Sequence, residues 1–529
     1  MIYNSVKYFL DDLQKEINSS DLDNALGLAK LYGNLVWNNH VHIYSATEIE
    51  DCLFQKLSKS RVFPKKQKLE KNGKILHVLS ECYTAGGHTR VVEKLLSEDK
   101  LTSLQDVVIV GICSKEILKK MRSSGATISF VKSKGTSAIV ELASLMSNYS
   151  SVLLHINPDD IVATLAARAA HGASTKIGLY NHADHCFTYG FSAAEIVFEV
   201  SIFGREVSKK YRPSYKWSFA GIPLNCPVFT GENAADLVEK EEEKTAEEYF
   251  LSSGPNYKYN FQEGGDLACV LESLIPELNK KCIIVGPGML PSDASEKLKQ
   301  FVKNGQLLIL PAVKHSVYIQ YLINCSFYLD SSPVTGGSAF PEAALLGKPC
   351  LGLTNAIMGY SPVDSIRSRT TKELVQRALT LTKKNTYLQV KLIREVHMAC
   401  NVLNRIRAGL NSGRCFPIPY DVDCEKLNVD FMTLKWVERG YFSINSSGFD
   451  FLSLKGRLTF LKLLRKHGLI SQIASPQKFK VLFYNFTYRK FRSHSLRRVA
   501  YDAASSARSD FIVVVKRLRQ FLSSKTTED

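Results

Sequence analysis

From Lys74 onward the chain alternates short apolar runs with segments of helical length. The runs KILHVLS, DVVIVGI, ATISFV, SVLLHI, KIGLYN, EIVFEVS and KWSFAG are separated by stretches such as TRVVEKLLSE and DIVATLAARAAHG. Short Val-, Ile- and Leu-rich runs with little polar alternation read as strands covered on both faces, and strand–helix alternation implies a parallel sheet. A proline-containing break, GIPLNCPVFTG from Gly221 to Gly231, and the charged run LVEKEEEKTAEE interrupt the pattern. It then restarts with EYFLSS, KCIIVG, QLLILP, SFYLD and KPCLGL. Two Rossmann-like domains follow, 73–225 and 226–412, flanked by a helical N-terminal extension, 1–72, and a basic C-terminal extension, 413–529. The helical segment 384–412 is long enough to return to the first domain. Ligands of such sheets sit beyond the carboxyl ends of the strands, so two facing domains make a cleft.

Charge and cysteine usage narrow the setting. The net charge is +17, and between Phe451 and Gln520 sixteen Lys and Arg stand against Asp502 and Asp510 alone. The segment KFKVLFYNFTYRKFRSHSLRR interleaves cations with aromatics, and Lys455, Lys462 and Lys466 fall on one helical stripe beside Leu454 and Leu458. That surface suits an anionic membrane. Aromatic–basic interleaving also suits single-stranded nucleic acid, but no RNA-binding signature accompanies it, so no nucleic acid is expected. No apolar run approaches the ~20 residues of a membrane span, and the N-terminus lacks a signal-peptide pattern. The expected location is cytoplasmic, at the inner face of the plasma membrane. The twelve cysteines form no C-x-x-C pair and read as buried thiols.

The chemistry concentrates at predicted strand ends. Leu329 to Leu353, LDSSPVTGGSAFPEAALLGKPCLGL, reads as a strand, a small-residue turn over Thr335–Ser338, and a helix opening at Pro341. Glycines let backbone amides approach an anion at a helix start. SECYTAGGHTRVVEKLL sets Gly86, Gly87 and His88 at the first strand end, and GPNYKYN sets Lys258 where it neutralises a phosphate. His315 follows another strand. On the other side, LLHINPDD places His155, Asp159 and Asp160, and NHADH places His182, Asp184 and His185, at neighbouring strand ends. Imidazoles and carboxylates there can act as general base toward a hydroxyl. His185 and Asp184 are the first candidates, with His182, His88 and His155 beside them. Histidine and carboxylate clusters also suit zinc. With no thiolate or H-E-x-x-H pair in company, no metal site is expected, and the D-x-D sequences at Asp21–Asp23 and Asp421–Asp423 read as loop carboxylates.

AGGHTRVVE, SSGPNYKYN and YLDSSPVTGGSAFPEAALLGKP together resemble the nucleotide-sugar glycosyltransferases of the GT-B fold. The similarity is greatest to bacterial enzymes that build capsule, O-antigen or lipopolysaccharide sugars, and it spans roughly residues 74–400. The last segment is also similar to the donor loop of the O-linked N-acetylglucosamine transferases. The resemblance implies that Lys258 contacts the donor diphosphate and that the amides of Thr335, Gly336, Gly337 and Ser338 cradle its phosphates. It further implies that Glu342 accepts hydrogen bonds from the ribose, that His315 lies near the nucleoside or sugar, and that neither a cofactor nor an obligatory metal is needed. Many retaining members carry a glutamate eight residues before the position of Glu342; here Val334 stands there, so the resemblance does not support retention. The implied reaction moves a hexosyl or N-acetylhexosaminyl group from a nucleotide sugar to a hydroxyl of a lipid-linked surface glycan. A nucleotide-sugar epimerase of the same fold and a non-catalytic, membrane-tethered scaffold are the alternatives.

Overall fold

The computed structural model describes residues 2–60, 72–83, 87–98, 105–172, 174–213, 215–224, 249–381, 387–444 and 452–472. All twelve expected strands form. In chain order they are β1 (Asn72–Leu79), β2 (Gln105–Ile109), β3 (Thr127–Phe130), β4 (Tyr149–His155), β5 (Lys176–Tyr180), β6 (Ile196–Glu199) and β7 (Trp217–Phe219), then β8 (Tyr249–Ser253), β9 (Lys281–Gly286), β10 (Leu307–Pro311), β11 (Tyr328–Leu329) and β12 (Cys350–Leu351). The first seven pair in the order β3-β2-β1-β4-β5-β6-β7 and the last five in the order β10-β9-β8-β11-β12, every pairing parallel. In each sheet the order reverses direction beside the first strand, between β1 and β4 and between β8 and β11. Those two switch points open crevices at the carboxyl ends. The architecture is GT-B: two Rossmann-like domains with helical extensions.

Burial explains the strand sequences. Val78, Val108, Val152, Leu154, Ile177 and Val197 are fully buried on one side of the first sheet, and Leu153, Phe198 and Leu79 on the other. The second sheet divides in the same way, between a core around Phe250, Ile284 and Leu329 and one around Leu251, Val285 and Tyr328.

The connection between domains is double. Leu224, after β7, donates its amide to His397 O, while the His397 ring donates from Nδ1 to Ile222 O at 2.8 Å. Beyond this crossing, the helix Ala399–Ser412 lies on the first sheet, burying Val402, Leu403, Ile406 and Leu410 with Phe198 and Tyr180. The stretch 226–412 thus includes a helix that packs on the first sheet, as its length allows. Glycines at the contact make the approach close: a Cβ on Gly409 would stand 2.8 Å from the Phe198 ring, and one on Gly178 would stand 2.9 Å from it.

The terminal extensions pack together. In the helix Ile2–Ser19, Val6, Phe9, Leu10, Leu13 and Ile17 form a helical stripe and are buried. They share one core with Phe460, Leu463 and Leu464 of the helix Leu454–Lys466, and with the helices Gly135–Ser147 and Ile161–His171 of the first domain. The expected basic stripe is partly paired here: Lys466 meets Asp12 at 2.6 Å and Lys455 meets Asp21 at 3.7 Å. These are exposed pairs of small individual worth, but they leave Lys462 alone of the three without an acidic partner among the described residues. KFKVLFYNFTYRKFRSHSLRR lies outside the described residues. Among those described, no helix is long and apolar enough to cross a membrane.

Candidate functional site

The carboxyl edges of the two sheets carry most of the residues singled out above. On the second-domain side, β8 ends at Ser253 and the chain turns through Gly254 and Pro255 into a short 3-10 turn, Asn256–Lys258. This turn aims Lys258 at the glycine loop, where Nζ donates to Thr335 O at 2.7 Å. Burial lowers the ammonium pKa, while Asp330 and Asp184 act to raise it. A cation half-buried in an interdomain crevice, with only a neutral carbonyl as its hydrogen-bond partner, is suited to an anion.

The glycine loop differs from the expected four-amide cradle. Thr335 N donates to Ile357 O, and Gly336 N donates to both carboxylate oxygens of Asp330 at 3.1 Å. Only the amides of Gly337 and Ser338 lack an acceptor among the described residues. The helix runs Ala339–Leu345, so Pro341 occupies its third position rather than its first, still within the turn whose N–H groups have no intrahelical partner. Asp330 is held in turn by Arg367, whose Nη2 donates to it at 2.6 Å and whose Nε donates to Asp364 at 2.7 Å. Asp364 Oδ2 accepts from the amides of Gly359 and Tyr360 at 2.9 and 2.8 Å. This buried Arg–carboxylate network fixes the loop, and reading the sequence missed it. Asp330 stands 37 residues before Arg367, a separation no local motif reveals. Glu342 is nearly buried and accepts from His315 Nε2 at 3.0 Å through Oε1, leaving Oε2 without a donor among the described residues.

The first domain presents Asp184 and His185 opposite Lys258. His185 donates from Nδ1 to Asp184 Oδ1 at 3.2 Å, and its ring is 32% exposed. A neutral imidazole carries one N–H; with Nδ1 protonated, Nε2 is left as a lone-pair acceptor. Asp184 is 1% exposed and firmly placed. Ser201 Oγ donates to its Oδ2 at 2.5 Å while capping the helix Ile202–Tyr211, and a Cβ on Gly204 would stand 2.6 Å from Asp184 Cβ. Tyr360 Oη, from the second domain, donates to Asp184 Oδ1 at 3.0 Å. The loop is held from below by Arg212, which donates to the carbonyls of Ala183, Asp184 and Cys186 at 3.3, 3.3 and 2.9 Å. Buried Glu199 accepts from Asn181 Nδ2 at 2.8 Å. Neither Arg212 nor Glu199 carries a sequence signal for this task.

Several expectations are corrected. His155 is fully buried, with both ring nitrogens hydrogen-bonded to other histidines, so it cannot meet an acceptor directly. His182 and His88 are partly exposed and stack on each other, ring centroids 4.1 Å apart. Asp160 caps the helix Ile161–His171 and also accepts from Ser80, while Asp159 is buried beside Asn34. Both are structural. Gly87 opens the helix Gly87–Glu98; Gly86 lies outside the described residues. Asp21 caps the helix Leu22–Asn39, and Asp423 pairs with Arg369 at 2.6 Å. Among the described residues no group of three or more His, Cys, Asp or Glu is arranged to hold a metal ion.

No family model matches the chain, and no curated protein is found similar to it. Among solved structures it is similar to a mutant of the O-GlcNAc transferase of Thermobaculum terrenum, at 11% identity and a TM-score of 0.46 over 76% of this chain and 83% of that one. It is also similar to HepE of Anabaena in complex with UDP, at 11% identity and a TM-score of 0.47 over 64% and 100%. A UDP-GlcNAc 2-epimerase from Neisseria meningitidis bound to UDP-GlcNAc gives 13% identity and a TM-score of 0.41 over 64% and 100%. These likenesses are distant, and the fold assignment rests on the two sheets themselves.

Proposed function

We propose that the chain is a glycosyltransferase that takes a sugar from a nucleoside-diphosphate sugar and passes it to a hydroxyl of a glycan acceptor. The observation that carries this reading is that Lys258, bonded to the glycine loop at 2.7 Å, lies close enough to Asp184 to feel its charge, and Asp184 in turn holds His185. In the proposed reaction the acceptor oxygen attacks the anomeric carbon and its proton passes to His185 Nε2. Asp184 holds that ring and balances the imidazolium that forms. The bond from the anomeric carbon to the diphosphate oxygen breaks. The charge arriving on the leaving diphosphate meets Lys258 and the amides of Gly337 and Ser338. In this reading Glu342 accepts from a ribose hydroxyl through Oε2, which the His315 contact leaves unused. The acceptor is proposed to be lipid-linked, with the basic C-terminal region meeting anionic lipid.

A panel of nucleoside-diphosphate sugars screened for thermal stabilisation identifies the donor, since a ligand of the native state raises the melting temperature by mass action. The identified donor is then incubated with and without glycan acceptor. Transfer only with acceptor supports the proposal. Interconversion of the sugar without acceptor favours an epimerase, and absence of any stabilisation favours a scaffold.

A further inference from the structure

The middle of the first sheet carries histidines where a parallel sheet ordinarily buries aliphatics. His77 on β1 and His155 at the end of β4 are both 0% exposed, as is Gln105 on β2. They form a continuous chain. His77 Nε2 lies 2.8 Å from Gln105 Oε1, His77 Nδ1 lies 3.0 Å from His155 Nε2, and His155 Nδ1 lies 2.8 Å from His182 Nε2.

The direction of this chain is set at its buried end. Gln105 Nε2 donates to Leu95 O at 3.2 Å, and a carbonyl only accepts, so the amide oxygen must be the atom that faces His77. His77 therefore donates from Nε2 and has a bare Nδ1. That nitrogen accepts from His155 Nε2, whose bare Nδ1 accepts from His182 Nε2. The three rings stay neutral because burial pushes their pKa values down, to about 4 for His77 and well below the ordinary 6.5 for His155 and His182. Each neutral ring has a single N–H, so the tautomer of the last follows from that of the first. His182 is left with a lone pair on Nδ1, which has no donor among the described residues, and its ring is partly exposed beyond the carboxyl end of β5.

We propose that Gln105 and His77 are positioning residues which, through His155, hold His182 with Nδ1 as a fixed hydrogen-bond acceptor, so that the ligand group it meets is a donor: a hydroxyl of the acceptor substrate. That last identification rests on the transferase reading; the tautomer does not. The chain ends in an amide, which takes no proton at neutral pH, so it orients and does not drain protons to solvent. The reacting proton goes to His185, and His182 aligns the acceptor.

The test is a long-range proton–nitrogen correlation spectrum of the full chain labelled with nitrogen-15 in its histidine rings, with His182 assigned from a His182→Asn variant. The expected result is Nε2–H with bare Nδ1 at His77, His155 and His182. Gln105→Leu should scramble the tautomer at His182, and Gln105→Glu, which still accepts from His77, should restore a single one. His182 protonated at Nδ1 in the unaltered chain, or left unchanged by Gln105→Leu, overturns the proposal. Should Gln105→Leu not fold, the spectrum of the unaltered chain still decides. In turnover, Gln105→Leu should raise the acceptor KM several-fold and leave donor affinity unchanged. Because the spectrum needs no substrate, a chain that transfers no sugar would sink the transferase reading and leave the tautomer result standing.

Discussion

At Gly336 no side chain is allowed: a Cβ there would lie 2.6 Å from Asp330 Oδ1. Asp330 cannot retreat, because Arg367 holds its other oxygen at 2.6 Å inside the protein. Gly336→Ala is therefore expected to distort the loop, costing about 1–3 kcal/mol by overpacking, and to weaken donor-nucleotide binding more than a substitution at exposed Ser338 would. Calorimetric titration with the donor nucleotide, alongside denaturant unfolding, separates the two effects. Lys258→Ala removes a charge-assisted contact of roughly 1.5–3 kcal/mol, so donor affinity should fall roughly 10- to 100-fold with the melting temperature of the free protein little changed. Arginine at 258 should not restore it, since a planar fork does not replace a compact ammonium against one carbonyl and a diphosphate. Unaltered nucleotide affinity in Lys258→Ala would remove the basis of the donor assignment. The glycine loop and Lys258 were legible because small residues and an isolated cation at strand ends are local signals. The commitment of the Gly336 amide to Asp330 was not, because it depends on Arg367 arriving from 37 residues away.

Elements repeat the same contrast. Twelve strands could be read from apolar runs: the central ones are buried on both faces and must be apolar whatever their partners, and the edge strands β3 and β10, though partly exposed, keep apolar runs of their own. What the runs do not encode is which loop leans on which. Tyr360, on the loop after β12, reaches the first domain to donate to Asp184, and the Ile202 amide donates to Gly359 O at 2.8 Å beside it. Tyr360→Phe deletes one hydrogen bond to the carboxylate that orients His185. The expected outcome is about a tenfold lower kcat with donor affinity retained, as measured by steady-state kinetics and nucleotide titration. Loss of nucleotide binding together with turnover would instead place Tyr360 in the donor site. The return helix is a second case. Gly409 faces Phe198 with a Cβ distance of 2.8 Å, so Gly409→Val should destabilise the first domain by about 1–3 kcal/mol in urea unfolding. No glycine pattern in the sequence announces this contact, which exists only once the helix has crossed back.

At the scale of the whole molecule, both the histidine chain of the first sheet and the interdomain crossing depend on buried, neutral imidazoles. His77 and His397 are each 0% exposed, and burial pulls each from its ordinary 6.5 to about 4. His88 is lowered to about 4 as well, and His155 and His182 are held well below 6.5 by burial and by the neighbouring histidines. A histidine depressed in the folded state leaves the unfolded chain binding more protons between its two pKa values. Its stabilisation is complete above about 6.5 and is lost as the pH falls toward 4. At pH 5 His77 and His397 should each forfeit about 2 kcal/mol, at 1.36 kcal/mol per unit. Glu50 and Asp159, raised by burial, act in the opposite sense, but they are two groups against five. The melting temperature should therefore drop by several degrees between pH 7.5 and pH 5.0, and His397→Gln, which can still donate to Ile222 O, should flatten part of that slope. A melting temperature unchanged across that interval would mean that water or an acidic partner reaches these rings. The neutral tautomers on which His182 depends would then not persist.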